Sequence, residues 1–244
     1  MSKDKNTGKK DFENKIQLLH NKVIKNTTTI TSDELNYPFL LHIAKIKFKE
    51  LTPNISRKAG VNEDNTVPRV HCSVNLLGCI IGYAELIFDT LDMDIYYKED
   101  RTLFKGGYYV YTIPFTYALK PNSKLVYDSL ESNEHWLVTY NQHTKTYKPN
   151  FVDKMFITNM NVIPDINNSK SWVCTIYLSV SNILPITKDI VLNKGYYSLE
   201  IKFINNKVKY EVLGYKTIDK TEFEKERIVR TDMLSFKEPK FLNW

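Results

Sequence analysis

YSLEIKFINNKVKYEVLGY, residues 197–215, alternates apolar and polar side chains on both sides of Asn205-Asn206. Alternation with a period of two is the mark of a half-buried strand, and asparagine tolerates the positive φ values of a tight turn. The stretch therefore predicts an antiparallel hairpin with a two-residue turn. That turn pairs Phe203 with Val208, Ile201 with Tyr210 and Leu199 with Val212. It also sets Lys202 against Lys209 and Glu200 against Glu211. Burying a large apolar side chain contributes about 1.5–3 kcal/mol, against a few tenths lost per like-charge pair, so the apolar register should win.

The same period runs backward from the hairpin. SWVCTIYLSVSN (171–182) sends Trp172, Cys174, Ile176, Leu178 and Val180 to one face, and KMFITNMNVIP (154–164), KLVYDSL (124–130) and GGYYVYTIPF (106–115) read as further strands. ESNEHWLVTYNQHTKTYKP (131–149) reads as a hairpin turning at NQHT. Its outgoing strand puts His135, Leu137 and Thr139 on one face, with Trp136, Val138 and Tyr140 on the other, and Trp136 in the core. Strand follows strand after residue 105 with no helix between them, which favours an antiparallel sheet, here of about seven to nine strands. DKTEFEKERIVRTDML (219–234) predicts a short closing helix.

The first hundred residues read differently. Residues 1–9 are lysine-rich without an apolar anchor and are expected to be disordered. In KDFENKIQLLHNKVIKN (10–26), Phe12, Ile16, Leu19 and Val23 recur at steps of three and four, the stripe of an amphipathic helix. Its polar face carries Lys10, Lys15, Lys22 and Lys25. SDELNYPFLLHIAKIKFKEL (32–51) predicts a second helix capped by Ser32 or Asp33, weakened at Pro38, although IAKIKFKEL also alternates like a strand. NLLGCIIGYAELIFDTLD (75–92) predicts a largely buried helix in which Gly78 and Gly82 allow another backbone to approach closely. The expected fold is thus α+β, with two or three N-terminal helices packed on a large, mostly antiparallel sheet. The polar loop 53–68, with proline at both ends, divides a basic helical segment, 1–60, from a β-rich α+β domain, 61–244.

Charge is unevenly spread along the 244 residues. The chain holds 34 Lys+Arg and 28 Asp+Glu, a formal net charge of +6. Residues 1–60 contain 12 of the basic and 6 of the acidic residues, so the remaining 22 and 22 cancel. Such a segment can serve as an electrostatic handle for nucleic acid or an acidic protein partner, or be a solvated helix face. Lysines are interleaved with aromatic residues in AKIKFKEL (44–51) and KTYKPNF (145–151), a composition suited to tracking phosphates and stacking bases.

Motifs for catalysis are sparse. There is no G-x-S-x-G, phosphate-binding glycine loop, G-x-G-x-x-G, H-E-x-x-H or Cys-x-x-Cys, and the chain has only 8 glycines. His71, Cys72 and Cys79 lack the second ligand pair that a structural zinc ion wants. Neither a metal ion nor a cofactor is expected. The apolar run 73–88 is short for a bilayer span and contains Glu85. Three irregularly spaced cysteines and a start without an apolar signal core point to a reducing cytoplasm.

Two function classes follow. The first is a non-enzymatic binding or assembly protein that contacts nucleic acid or a partner protein through Lys9, Lys10, Lys15, Lys22, Lys25, Lys45, Lys47 and Lys49. The second is a metal-dependent or acid–base hydrolase that draws on His135, Glu134, Asp89 and Asp92. Glu85, Asp89 and Asp92 would share a helix face, as clustered carboxylates for a cation do or as the solvated edge of a buried helix does.

Overall fold

A computed structural model describes residues 2–19, 25–36, 38–55, 66–83, 107–126, 129, 132–139, 146–165, 171–187, 189–204 and 210–229. In chain order the elements are α1 (Ser2–Leu19), β1 (Thr27–Thr31), α2 (Ser32–Leu35), β2 (Phe39–Ala44), β3 (Arg69–Ser73) and α3 (Leu76–Ile81). There follow β4 (Gly107–Pro114), β5 (Tyr117–Pro121), β6 (Glu134–Val138), β7 (Asn150–Pro164) and β8 (Ser171–Val180). The chain continues through β9 (Leu184–Pro185), β10 (Val191–Leu192), β11 (Gly195–Ile204), β12 (Tyr210–Ile218) and α4 (Lys220–Val229).

Ten strands form one sheet in the order β1-β5-β6-β3-β2-β4-β7-β8-β11-β12, and β9 and β10 form a small ribbon. Every pairing in the sheet is antiparallel. The expected packing of several N-terminal helices on a sheet of seven to nine strands is therefore corrected. The body is the sheet, and among the described residues its first hundred positions contribute α1, a single turn and a six-residue helix.

The predicted second helix fails for a local and a long-range reason. Its first turn does form. Thr31 caps it, exchanging hydrogen bonds with Glu34 in a capping box. Asn36 then takes the left-handed conformation at φ 53° and ends it, two residues before Pro38. Beyond the proline, β2 aligns six residues with β4, Phe39 opposite Pro114 through Ala44 opposite Tyr109. Strands on both sides of residue 60 share the sheet, because β2 lies between β3 and β4. The expected disorder of residues 1–9 is corrected too, since α1 starts at Ser2.

The predicted hairpin at 197–215 exists with its register moved by two residues. Phe203 faces Tyr210 and Ile201 faces Val212, and after a bulge Leu199 faces Tyr215. The longer connection replaces the like-charge pairs with Lys202 opposite Glu211. By contrast, the described flanks of the hairpin expected at 131–149 do not pair with each other, and its NQHT turn lies outside the described residues. β6 is flanked by β5 and β3, while Tyr147 bridges Leu51 instead. The described residues of KLVYDSL are no strand either: Asn122 organises a turn, accepting from Lys124 N, that buries Leu125 and Val126.

Side-chain alternation sorts the core by face. The front face carries Leu41, Ile43, Val110, Met155, Ile176, Leu178, Leu199 and Ile201, roofed by α3 and by Leu184 and Leu192 of the ribbon. At the β5–β6 end of the same face, Phe12 and Ile16 of α1 pack on Leu119, Trp136 and Val138. The back face buries Leu40, Val70, Cys72, Ile113, Ala118 and Leu137 under Leu51 and Tyr147. Toward the other edge α4 lies on the back face, where the Phe223 and Tyr196 rings are 5.0 Å apart. No described helix is long and apolar enough to cross a membrane.

Candidate nucleic-acid interface

The two lysine–aromatic stretches, a hundred residues apart in sequence, meet on the back face. Residues 45–51 leave β2 and cross this face, held by three backbone contacts. Phe48 N donates to Tyr111 Oη at 2.8 Å, and Leu51 and Tyr147 exchange N–H···O bonds at 2.9 and 2.8 Å. Tyr147 is itself fixed by its hydroxyl donating to Val138 O at 2.9 Å. These contacts set Lys47 Nζ 5.4 Å from the centroid of Phe151, the second residue of β7.

Phe151 is 49% exposed, at the start of β7, where the strand pairs with β4 through Tyr111 and its pairing with β8 has not yet begun. Tyr109 and Tyr111 of β4 lean on it from beneath, with ring centroids at 6.2 and 6.1 Å and planes inclined by 58° and 68°. One step along β7, Lys154 Nζ lies 5.2 Å from Tyr109 and 4.9 Å from Phe156. A Cβ at Gly107 would meet the Lys154 stem, so the bare glycine is what lets the lysine lie across the strand. Lys49 and Ile46, on the segment that carries Lys47, and Lys148, three residues before Phe151, are exposed, Ile46 at 62%. Alternation on one sheet face thus builds a row of rings interleaved with ammonium groups, in favourable cation–π geometry.

The helical lysines belong elsewhere. α1 packs on the front face, opposite the patch. On it, Lys9 pairs with Glu34 at 2.7 Å and Lys15 with Asp11 at 2.6 Å, while Lys10 is exposed. Lys25 is exposed beyond the helix, and Lys45 is half-buried at the end of β2. Lys22 lies outside the described residues. The basic quarter of the chain is therefore divided between two faces. Of the eight lysines singled out from sequence, Lys47 is brought onto the Phe151 ring. Tyr109, Lys154 and Phe156 escaped the sequence reading, although their period-two spacing on outward strand positions was the available signal.

The hydrolase residues do not converge. Asp89 and Asp92 lie outside the described residues. Glu134 and His135 point to opposite faces, as adjacent strand residues must. His135 is fully buried, with Nδ1 on Asn133 O at 2.8 Å and Nε2 without a hydrogen-bond partner among the described residues. Burial lowers its pKa to about 4, so the ring is neutral at pH 7.

Glu134 instead joins a front-face network. Its Oε1 contacts His71 Nδ1 and accepts from Trp136 Nε1, both at 2.5 Å. Arg69 Nε donates to His71 Nε2 at 3.2 Å, and the guanidinium stacks 4.2 Å from the Trp136 ring. Burial acts to raise the Glu134 pKa, but the contacts with His71, Trp136 and Arg69 outweigh it and hold the carboxyl below its usual range. With Nε2 accepting from Arg69, the ring proton sits on Nδ1 and both nitrogens are engaged, which suits an anchor between β3 and β6 better than a general base.

A cavity of about 50 Å³ beside this network is lined by His42, His71, Cys72, Cys79, Tyr83 and Glu134. Burial pushes the Cys72 thiol well up and the Cys79 thiol to about 12, so both are protonated at neutral pH. No group of three or more His, Cys, Asp or Glu among the described residues is arranged to hold a metal ion. Compared with known proteins, the chain matches no family model, no curated protein and no solved structure.

Proposed function

We propose that this is a non-enzymatic nucleic-acid-binding protein whose contact surface is the lysine–aromatic back face around Phe151. The observation that carries the reading is Lys47 set over a half-exposed Phe151, itself propped by two tyrosines. A half-exposed ring flanked by ammonium groups suits an anionic partner that also has flat apolar surface. Nucleic acid has both. The excess of basic residues in 1–60 supports the same partner, with residues 45–49 as the part that reaches the platform. Three free, buried cysteines accord with a reducing cytoplasm as its place of work.

The test is a titration of the full chain with mixed-sequence oligonucleotides across a salt series. Binding that weakens linearly in log–log form as salt rises is expected, because neutralised phosphates release counterions. Absence of binding at low salt would remove the proposal.

A further inference from the structure

The geometry points to single strands as the nucleic acid that this face takes, with an unpaired base stacked on Phe151. The inference rests on the nucleic-acid reading above and narrows it. A duplex hides its base faces inside the stack and offers phosphates and groove edges, which are read by a helix or ribbon that enters a groove. The patch offers no such projection among its described residues. It offers ring faces on a sheet, whose use is to stack on bases that have left their own stack.

Phe151 is also fixed before binding. Tyr109 and Tyr111 lean against it at 6.2 and 6.1 Å with inclined planes, so the ring is propped with part of its surface in water. Tyr111 is fully buried and its hydroxyl is tied to Phe48 N, so the prop cannot swing away. An aromatic platform ordered in advance loses little conformational entropy when a base lands on it. Lys47 lies over the ring, 5.4 Å from its centroid, so a base that stacks there displaces the ammonium group toward the flanking phosphate, while Lys154 lies farther along β7 and exposed Lys148 precedes Phe151 in sequence. A base on Phe151 then leaves its flanking phosphates within reach of lysines from two chain segments.

The experiment compares a single-stranded 20-mer with the duplex of the same sequence, by fluorescence anisotropy at one salt concentration, for the full chain and for Phe151→Ala and Phe151→Trp. Because Phe151 is a surface residue, both variants are expected to keep the parent thermal transition, which is recorded alongside. The parent should favour the single strand about ten-fold or more. Losing one stacked base corresponds to roughly a ten-fold loss for Phe151→Ala. Phe151→Trp should retain the affinity, and duplex binding should be unchanged in both variants. Equal affinity for both forms, or a Phe151→Ala variant that binds the single strand as the parent does, overturns the inference. Binding to neither form overturns the nucleic-acid reading beneath it.

Discussion

His42 and His135 show how burial writes a pH dependence into this chain. Each has its pKa lowered to about 4, chiefly by burial, against about 6.5 in an unfolded chain. The unfolded state then binds more protons between those values, so stability falls as pH drops from about 6.5 toward 4. At pH 5 each histidine should cost roughly 2 kcal/mol relative to neutral pH. Denaturant titrations at pH 7 and 5 check this, and replacing His135 with Phe should flatten the difference by about half. Glu134 acts lower. Its depressed pKa adds stability that is present above the ordinary carboxylate range and lost as pH falls through the folded value. Glu134→Ala leaves the His71 N–H and the Trp136 indole without their acceptor and removes the negative charge near Arg69, and is expected to cost about 2–4 kcal/mol at pH 7. A loss under 1 kcal/mol would show the network to be dispensable. Trp136 as a core residue was legible from strand alternation. The contact of Glu134 with His71, 63 residues away, was not, because no local spacing encodes which strands become neighbours.

Among elements, α3 offers the sharpest contrast. A Cβ at Gly78 would run into the Ser73 hydroxyl and the Ser132 carbonyl, whereas at Gly82 the nearest atom is 3.4 Å away. Gly78→Ala should therefore destabilise by about 1–3 kcal/mol through overpacking. Gly82→Ala, at an ordinary φ of −64°, should be neutral or gain a few tenths, since alanine restricts the unfolded chain. Melting curves of the two variants separate these outcomes, and equal effects would contradict the packing described. The close approach at Gly78 was readable in sequence from glycine on an apolar helical face. The spacing of residues 39–44 favours a helix, with strand-like alternation only from Ile43 onward, and it is their six partners in β4 that make them a strand. Hairpin 197–215 was readable as a hairpin but not in register: the bulge beside Ile201 and a connection longer than two residues depend on tertiary fit.

At the scale of the whole molecule, charge and sheet order matter together. β2 belongs to the first 60 residues yet occupies the middle of the sheet. A fragment of residues 61–244 lacks both β1 and β2 and should fail to show a cooperative thermal transition. A stable fragment would instead establish the loop at 53–68 as a true domain boundary. The antiparallel sheet was legible because period-two segments follow one another without helices. The order of its strands was not, since five of its nine neighbouring pairs join strands that are not consecutive along the chain. The same topology divides the basic segment, placing α1 on the front face and residues 45–49 on the back. That division was invisible to a count of charges.

The most direct measurement follows from it. Two full-length variants are compared with the parent in a salt series on a single-stranded oligonucleotide: one with Lys9, Lys10 and Lys15 changed to Gln, the other with Lys47, Lys148 and Lys154 changed to Gln. The account predicts that the second loses affinity and that its log–log salt slope falls by about 0.7 for each phosphate contact removed, while the first retains the parent slope to within a fraction of one contact. Loss confined to the α1 variant would place the contact surface on the front face and contradict the account.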